Sequence, residues 1–257
     1  MNLPVKLYPA KPEKVYLYGT CLVNSFAPES GLDAIALLEQ QGVEVIYPLA
    51  QTCCGQPAYN SGYTGQALAV ARSQMALFPE PWPIVILSGS CGGMMRKHYL
   101  ELAPNDQAVL DFTQRIFEFS EFLLHTLNIK LQDQGDKERI TLHTSCAGRR
   151  EMSIHDTSVA LLQQLHNVEL VDHAYSTECC GFGGTFSVKQ ADISSAMASD
   201  KADHIAATEC TRFVSTDWGC MLNINCTLEH QQRPVRGLHL ASYLYQRTLG
   251  QDTQGWE

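Results

Sequence analysis

The sequence predicts an α/β protein of two pseudo-repeated units, each a mainly parallel sheet flanked by helices, with sites at the carboxyl ends of the strands. Three observations carry that prediction. Strand-like and helix-like segments alternate in the same order in both halves, a spaced set of cysteines recurs, and each cysteine pair is followed by a glycine. Alternating strands and helices favour parallel sheets covered on both faces, and in such sheets ligands sit beyond the strand carboxyl ends.

In the first unit, VYLYG (15–19) has the β-branched and aromatic content of a strand and ends just before Cys21. Leu32, Ile35, Ala36 and Leu38 then recur at helical spacing until Gly42. A second strand, VEVIYP (43–48), runs to the Cys53–Cys54–Gly55 turn. Leu68, Ala71, Met75 and Phe78 mark another helical face, closed by Pro79, Pro81 and Pro83, and the strand IVIL (84–87) leads into Cys91. Ile116, Phe119, Leu123 and Leu127 read as a joining helix, and the polar stretch 132–139 as a linker. The expected division is therefore 1–131 for the first unit with its joining helix and 140–257 for the second.

The second unit repeats the order. Strand ITLH (140–143) precedes Cys146, a helix covers about 156–166, and strand VELVDH (168–173) leads to Cys179–Cys180–Gly181. A helix over about 190–207 is followed by strand RFVST (212–216) and Cys220, and the segment 238–249 reads as a last, core-packed helix. Between the lone cysteine and the pair lie residues 22–52 in one unit and 147–178 in the other; from glycine to final cysteine lie 56–90 and 182–219. Internal duplication of a unit of about 125 residues is the simplest account.

Composition narrows the function. A net charge of −9, without a long basic run, excludes a nucleic-acid footprint. No apolar stretch approaches the roughly 20 residues of a membrane span. The N-terminal stretch lacks an apolar core of signal-peptide length and is interrupted by Pro4, Pro9 and Pro12, which predicts a cytoplasmic protein. Ten cysteines in a reducing compartment point to metal binding or redox chemistry before structural disulfides.

Thiolates suit iron–sulfur clusters and zinc. Neighbouring residues on a regular strand point to opposite faces, so both cysteines of a pair reach one centre only from an irregular turn, which Gly55 and Gly181 permit. Structural zinc sites usually draw on closely spaced C-x₂-C-like pairs, and these are absent. Zinc stays the alternative metal, and a dithiol redox site or plain burial the alternative without metal.

The strings TCCGQPAYNSGY (52–63), SGSCGGMMRKHY (88–99), HTSCAGRRE (143–151), CCGFGGTFSVK (179–189) and TDWGCMLNI (216–224) resemble the cysteine-rich CCG domain family. That family includes the B subunit of heterodisulfide reductase and the iron–sulfur subunits of glycolate and anaerobic glycerol-3-phosphate oxidation. Within it the sequence is most similar to members that serve lactate utilization. The resemblance implies an oxidoreductase subunit that helps oxidise L-lactate to pyruvate, together with two further subunits, one of them ferredoxin-like. It also implies Cys21, Cys53, Cys54 and Cys91, and then Cys146, Cys179, Cys180 and Cys220, as ligands of one or two iron–sulfur clusters. Where some relatives place a fifth cysteine, this sequence has Met94 and Asn223, leaving four thiolates per unit, enough for a [4Fe–4S] cluster.

Around Cys146, His143 is a candidate base for a hydroxyl proton, and Arg149 and Arg150 are candidate clamps for a substrate carboxylate. A core role for His143 and charge compensation by the arginines are the plainer readings. Asp217 is expected to orient the turn before Cys220, Lys189 to neutralise charge or lie on the surface, and Cys210 and Cys226 to stand outside the pattern.

Overall fold

In a computed structural model, described here for residues 6–250, the chain forms two four-stranded sheets in which every pairing is parallel. Pro4 and the outermost ends of both expected units lie outside the described residues. The first sheet uses β1 (Lys14–Tyr18), β2 (Glu44–Ile46), β3 (Ile84–Ile86) and β4 (Ile116–Glu118) in the order β2-β1-β3-β4. The second uses β5 (Glu138–His143), β6 (Val168–Leu170), β7 (Arg212–Ser215) and β8 (Arg236–His239) in the matching order β6-β5-β7-β8. In both, chain direction across the sheet reverses between the first and third strands, and this switch point is where open parallel sheets form their binding crevices.

Helices α1 (Cys21–Phe26) and α2 (Pro28–Gln40) link β1 to β2, and α3 (Gln56–Asn60) and α4 (Thr64–Met75) link β2 to β3. After β3 come α5 (Gly89–Gly93), α6 (Tyr99–Leu102) and α7 (Gln107–Gln114), and after β4 the short α8 (Phe119–Glu121). The second unit contributes α9 (His155–Leu162), α10 (Thr185–Lys189), α11 (Ala191–Ala206), α12 (Trp218–His230) and α13 (Leu240–Thr248). Single π-helical segments follow two of the lone cysteines, Met94–His98 after Cys91 and Gly148–Met152 after Cys146. Such irregular turns concentrate at functional sites.

Two elements depart from the sequence reading. The expected joining helix begins as strand β4, because Ile116, Phe117 and Glu118 pair with β3 and are buried. The segment read as a last helix starts with β8, which completes the second sheet beside β7. In the stretch 132–139, Glu138 and Arg139 already belong to β5. Asp133, whose side chain is fully buried, takes a 2.8 Å hydrogen bond from Arg247 Nε and a 2.8 Å bond from the Asn167 amide.

One apolar cluster runs through both sheets, from Leu17, Leu37 and Val85 to Leu142, Leu161, Val214 and Leu244. Helices α2 and α13 meet across it, with Ser242 donating to Ser30 at 3.0 Å. Helix α5 packs on the Gly148–Met152 turn so tightly that a Cβ on Gly89 would fall 2.9 Å from Gly148 Cα. The cysteine-bearing ends of the two sheets are thereby brought against each other.

Candidate functional site

In the first unit, β1 delivers Cys21 to the first position of α1, whose N-cap Thr20 accepts the Val23 amide at 3.3 Å. The chain after β2 is anchored before the cysteine pair. Thr52 and Gln74 exchange two hydrogen bonds of 2.9 Å, and Gln51 donates to the Leu17 carbonyl at 3.1 Å. Cys53 and Cys54 then occupy an irregular turn closed by Gly55 at φ +89°, and the Gly55 amide donates to Cys53 Sγ at 3.4 Å. Cys91 lies in α5, its amide capped by Ser88.

These four sulfurs meet. The Cys53 thiol feels Cys21 and Cys54 as its nearest neighbours, and the Cys54 thiol feels Cys53 and Cys91. The hydrogen bonds from Cys21 and Cys54, helped by the Gly55 and Gln56 amides, hold the Cys53 thiol down to about 3 despite its burial. The same bond with Cys53, together with burial, pushes the Cys21 thiol well up. The group thus stores one thiolate readily and accepts more negative charge only when a cation is present to offset it.

The second unit repeats this construction. Cys146 Sγ lies 4.0 Å from Cys179 Sγ, Cys180 follows Cys179 in the turn, and the Cys180 and Cys220 sulfurs lie within 4.8 Å of each other. Gly181, at φ +83°, donates its amide to Cys179 Sγ at 3.4 Å, as Gly55 does to Cys53. Even the peptide of each inner cysteine is held alike, the Cys54 carbonyl accepting from Tyr99 at 2.9 Å and the Cys180 carbonyl from Asn223 at 2.7 Å. Asn223 is therefore an anchor of the turn, and Met94 is fully buried in the apolar cluster around Cys54 and Cys91. In each unit two sulfurs are buried and two half-buried.

All eight repeated cysteines are thus brought together, four and four, while Cys210 is buried at the opening of β7 and bonded to the Thr208 carbonyl, and Cys226 is exposed on α12. His143 ends β5 with no exposure, one of its ring nitrogens within 4.8 Å of the sulfurs of Cys180 and Cys220. Burial, followed by the charge of Lys201, pulls its pKa down to about 3, so the ring is neutral at ordinary pH. Arg149 keeps Nε and Nη2 buried without a hydrogen-bond partner among the described residues. Arg150 is exposed at a cavity of about 350 Å³ that Cys179, Glu178 and Asp200 also line. Lys189 reaches Ser61 of the other unit at 3.4 Å.

The cross-unit role of Asp217 escapes sequence reasoning. Besides capping α12 through the Gly219 amide, it accepts from the Ser90 amide at 2.8 Å and the Ser88 hydroxyl at 3.2 Å. It therefore ties the Cys220 loop to the Cys91 loop. Its position three residues before Cys220, like that of Ser88 before Cys91, is a readable N-cap signal. The partner across the interface has no local signature.

The model of the cysteine-rich domain family CCG matches residues 15–96 and 140–225, the two segments that carry the eight gathered cysteines. The chain belongs to this family. Among curated relatives, lactate utilization protein A 2 of Bacillus cereus (strain Q1) is 36% identical over 90% of this chain and 97% of its own. Lactate utilization protein A of Geobacillus kaustophilus is 37% identical over 91% of this chain and 99% of its own. The fold is shared with a crystal structure of a hypothetical protein from Helicobacter pylori, at TM-score 0.68 and 14% identity over 96% of this chain; the chain spans about half the length of that protein.

The donor set fits a metal centre in each unit. Soft thiols converge, backbone amides are aimed at sulfur, and the turns leave no room for larger residues. At Gly55 an added Cβ would press on Val70 at 3.3 Å from a left-handed backbone. Gly55→Ala is expected to lower stability by about 1–2 kcal/mol, read as a shift of the urea midpoint.

Proposed function

We propose that this chain is the iron–sulfur subunit of a multi-subunit system that oxidises L-lactate to pyruvate. The observation that carries the proposal is the gathering of Cys21, Cys53, Cys54 and Cys91, and of their four counterparts, at the switch points of two parallel sheets. The names of the relatives supply the substrate. By the same resemblance, two further subunits complete the system, one of them ferredoxin-like; ten free cysteines suit the reducing cytoplasm. No helix among the described residues is long and apolar enough to cross a membrane, so contact with a membrane electron pool would pass through a partner.

Oxidation of a 2-hydroxy acid releases two electrons and two protons. When bound, iron–sulfur clusters supply one-electron relays. The eight cysteines hold them, and the Gly55 and Gly181 amides donate to ligand sulfur, which favours the reduced, more negative state. Arg149, with two guanidinium nitrogens that are buried and have no partner among the described residues, offers a two-point site for a carboxylate, and Arg150 is the cationic side chain lining the cavity beside Cys179, facing Glu178 and Asp200 there. His143 has no exposure and faces sulfur, which makes it a poorer candidate for the base than its place in the sequence implies.

One observation favours a second reading. The 4.0 Å between Cys146 and Cys179 is close to the roughly 3.8 Å separating two thiolates on a single tetrahedral ion with metal–sulfur bonds of about 2.3 Å. On that reading zinc would hold the second unit as a scaffold. Reconstitution with the partner subunits separates the two: L-lactate added under anaerobic conditions should bleach the iron–sulfur absorption of this chain. A spectrum unmoved by lactate, with clusters intact and partners present, would refute the electron-transfer role.

A further inference from the structure

We propose that His143 is a nitrogen ligand of the metal centre in the second unit, so that the chain carries two chemically unequal centres, one held by sulfur alone and one by sulfur and imidazole. This rests on the iron–sulfur reading above.

The two units allow a position-by-position comparison. His143 closes β5 three residues before Cys146, and Tyr18 closes β1 three residues before Cys21. Both side chains are fully buried. The Tyr18 hydroxyl is spent on the Thr52 carbonyl at 2.5 Å and is not free for a metal. His143 has no such partner: among the described residues neither Nδ1 nor Nε2 makes a hydrogen bond. Buried polar atoms are nearly always satisfied, and one that is not calls for an explanation such as an ion. One of its ring nitrogens, Cys180 Sγ and Cys220 Sγ lie within 4.8 Å of one another, the spacing of ligands around a shared centre. The nearest rival is His173, whose ring centroid lies 6.3 Å from that of His143 and whose Nε2 is likewise buried without a partner among the described residues; it is not a member of the group that His143 forms with the Cys180 and Cys220 sulfurs.

A neutral imidazole beside thiolates lowers the negative charge of the centre and raises its reduction potential, as histidine ligation does in other iron–sulfur proteins. The second centre becomes the better electron acceptor, and the difference between the units gives electrons a direction through the chain.

The test is pulsed EPR on the anaerobically purified, reduced full chain with ¹⁵N-labelled histidine. The expected result is a strong, isotope-sensitive nitrogen coupling on one of two centres. It should disappear in His143→Cys, with a fall in that centre's midpoint potential, and persist in His173→Gln and Tyr18→Phe. If His143→Cys does not fold, the labelled wild-type spectrum decides alone. Iron and sulfide present without strong histidine coupling would overturn the ligand assignment while leaving the cluster reading standing. A chain that binds no iron would overturn both.

Discussion

Replacing Cys179 and Cys180 together by alanine is expected to remove about half of the iron and sulfide bound by the chain and to leave the first centre intact. The pair supplies the easily ionised member of its group, since the bond from Cys146 first and then that from Cys180 hold the Cys179 thiol well down. It also supplies the link to buried Cys220. Without it, only Cys146 and Cys220 remain, with the proposed ligand His143, too few donors for a cluster that takes four. Cys53→Ala with Cys54→Ala should have the mirror effect, and the fourfold variant should bind none. Iron analysis by plasma emission reads all three; wild-type iron in either double variant would show that the gathered sulfurs are not the ligands.

Asp217→Ala is expected to lower stability by about 3 kcal/mol. Loss of the α12 cap accounts for about 1 kcal/mol, and the abandoned Ser90 amide, partly buried beside Cys91, for about 1–3 kcal/mol more. For a chain of this size that is about 6–12 °C in Tm. Asp217→Asn keeps one acceptor for two bonded positions and should recover part of the loss. Because the carboxylate joins the Cys91 and Cys220 loops, the alanine variant should also release iron from both centres faster on exposure to a chelator. A Tm within 1 °C of wild type in calorimetry would mean that the bridge carries no load.

Six of the eight strands are legible in the sequence because each combines β-branched residues with a turn and a cysteine at its end. The two that are not, β4 and β8, lie at the far edge of their sheets. Ile116–Glu118 is only three residues long, too short for a period of two to show, and Ile116, Phe119 and Leu123 happen to fall at helical spacing. Glu118 adds to the disguise as a wholly buried acid in a strand, pushed up to about 8 by burial, above all other influences. At β8 the strand Arg236–His239 runs straight into α13, with no turn residue to mark the change.

The candidate site divides in the same way. Which cysteines gather is written in their spacing, since each follows a strand end and parallel strands bring those ends to one edge. Contacts between the units carry no such record. The Asp217 bridge joins residues 127 and 129 positions apart, and the Gly89–Gly148 approach depends on two turns docking. The environment of His143 likewise depends on which side chains close over the end of β5, so its sequence context, beside Arg149 and Arg150, does not reveal that the Cys180 and Cys220 sulfurs and the His173 ring lie next to it.

Metal analysis of the chain, expressed and purified without oxygen, tests the central claim most directly. If the two groups of four sulfurs hold iron–sulfur clusters, iron and acid-labile sulfide should be present in equal amounts, about four of each per occupied centre, with an EPR signal on reduction. Zinc in whole-number ratio to protein, with no labile sulfide, would contradict the account.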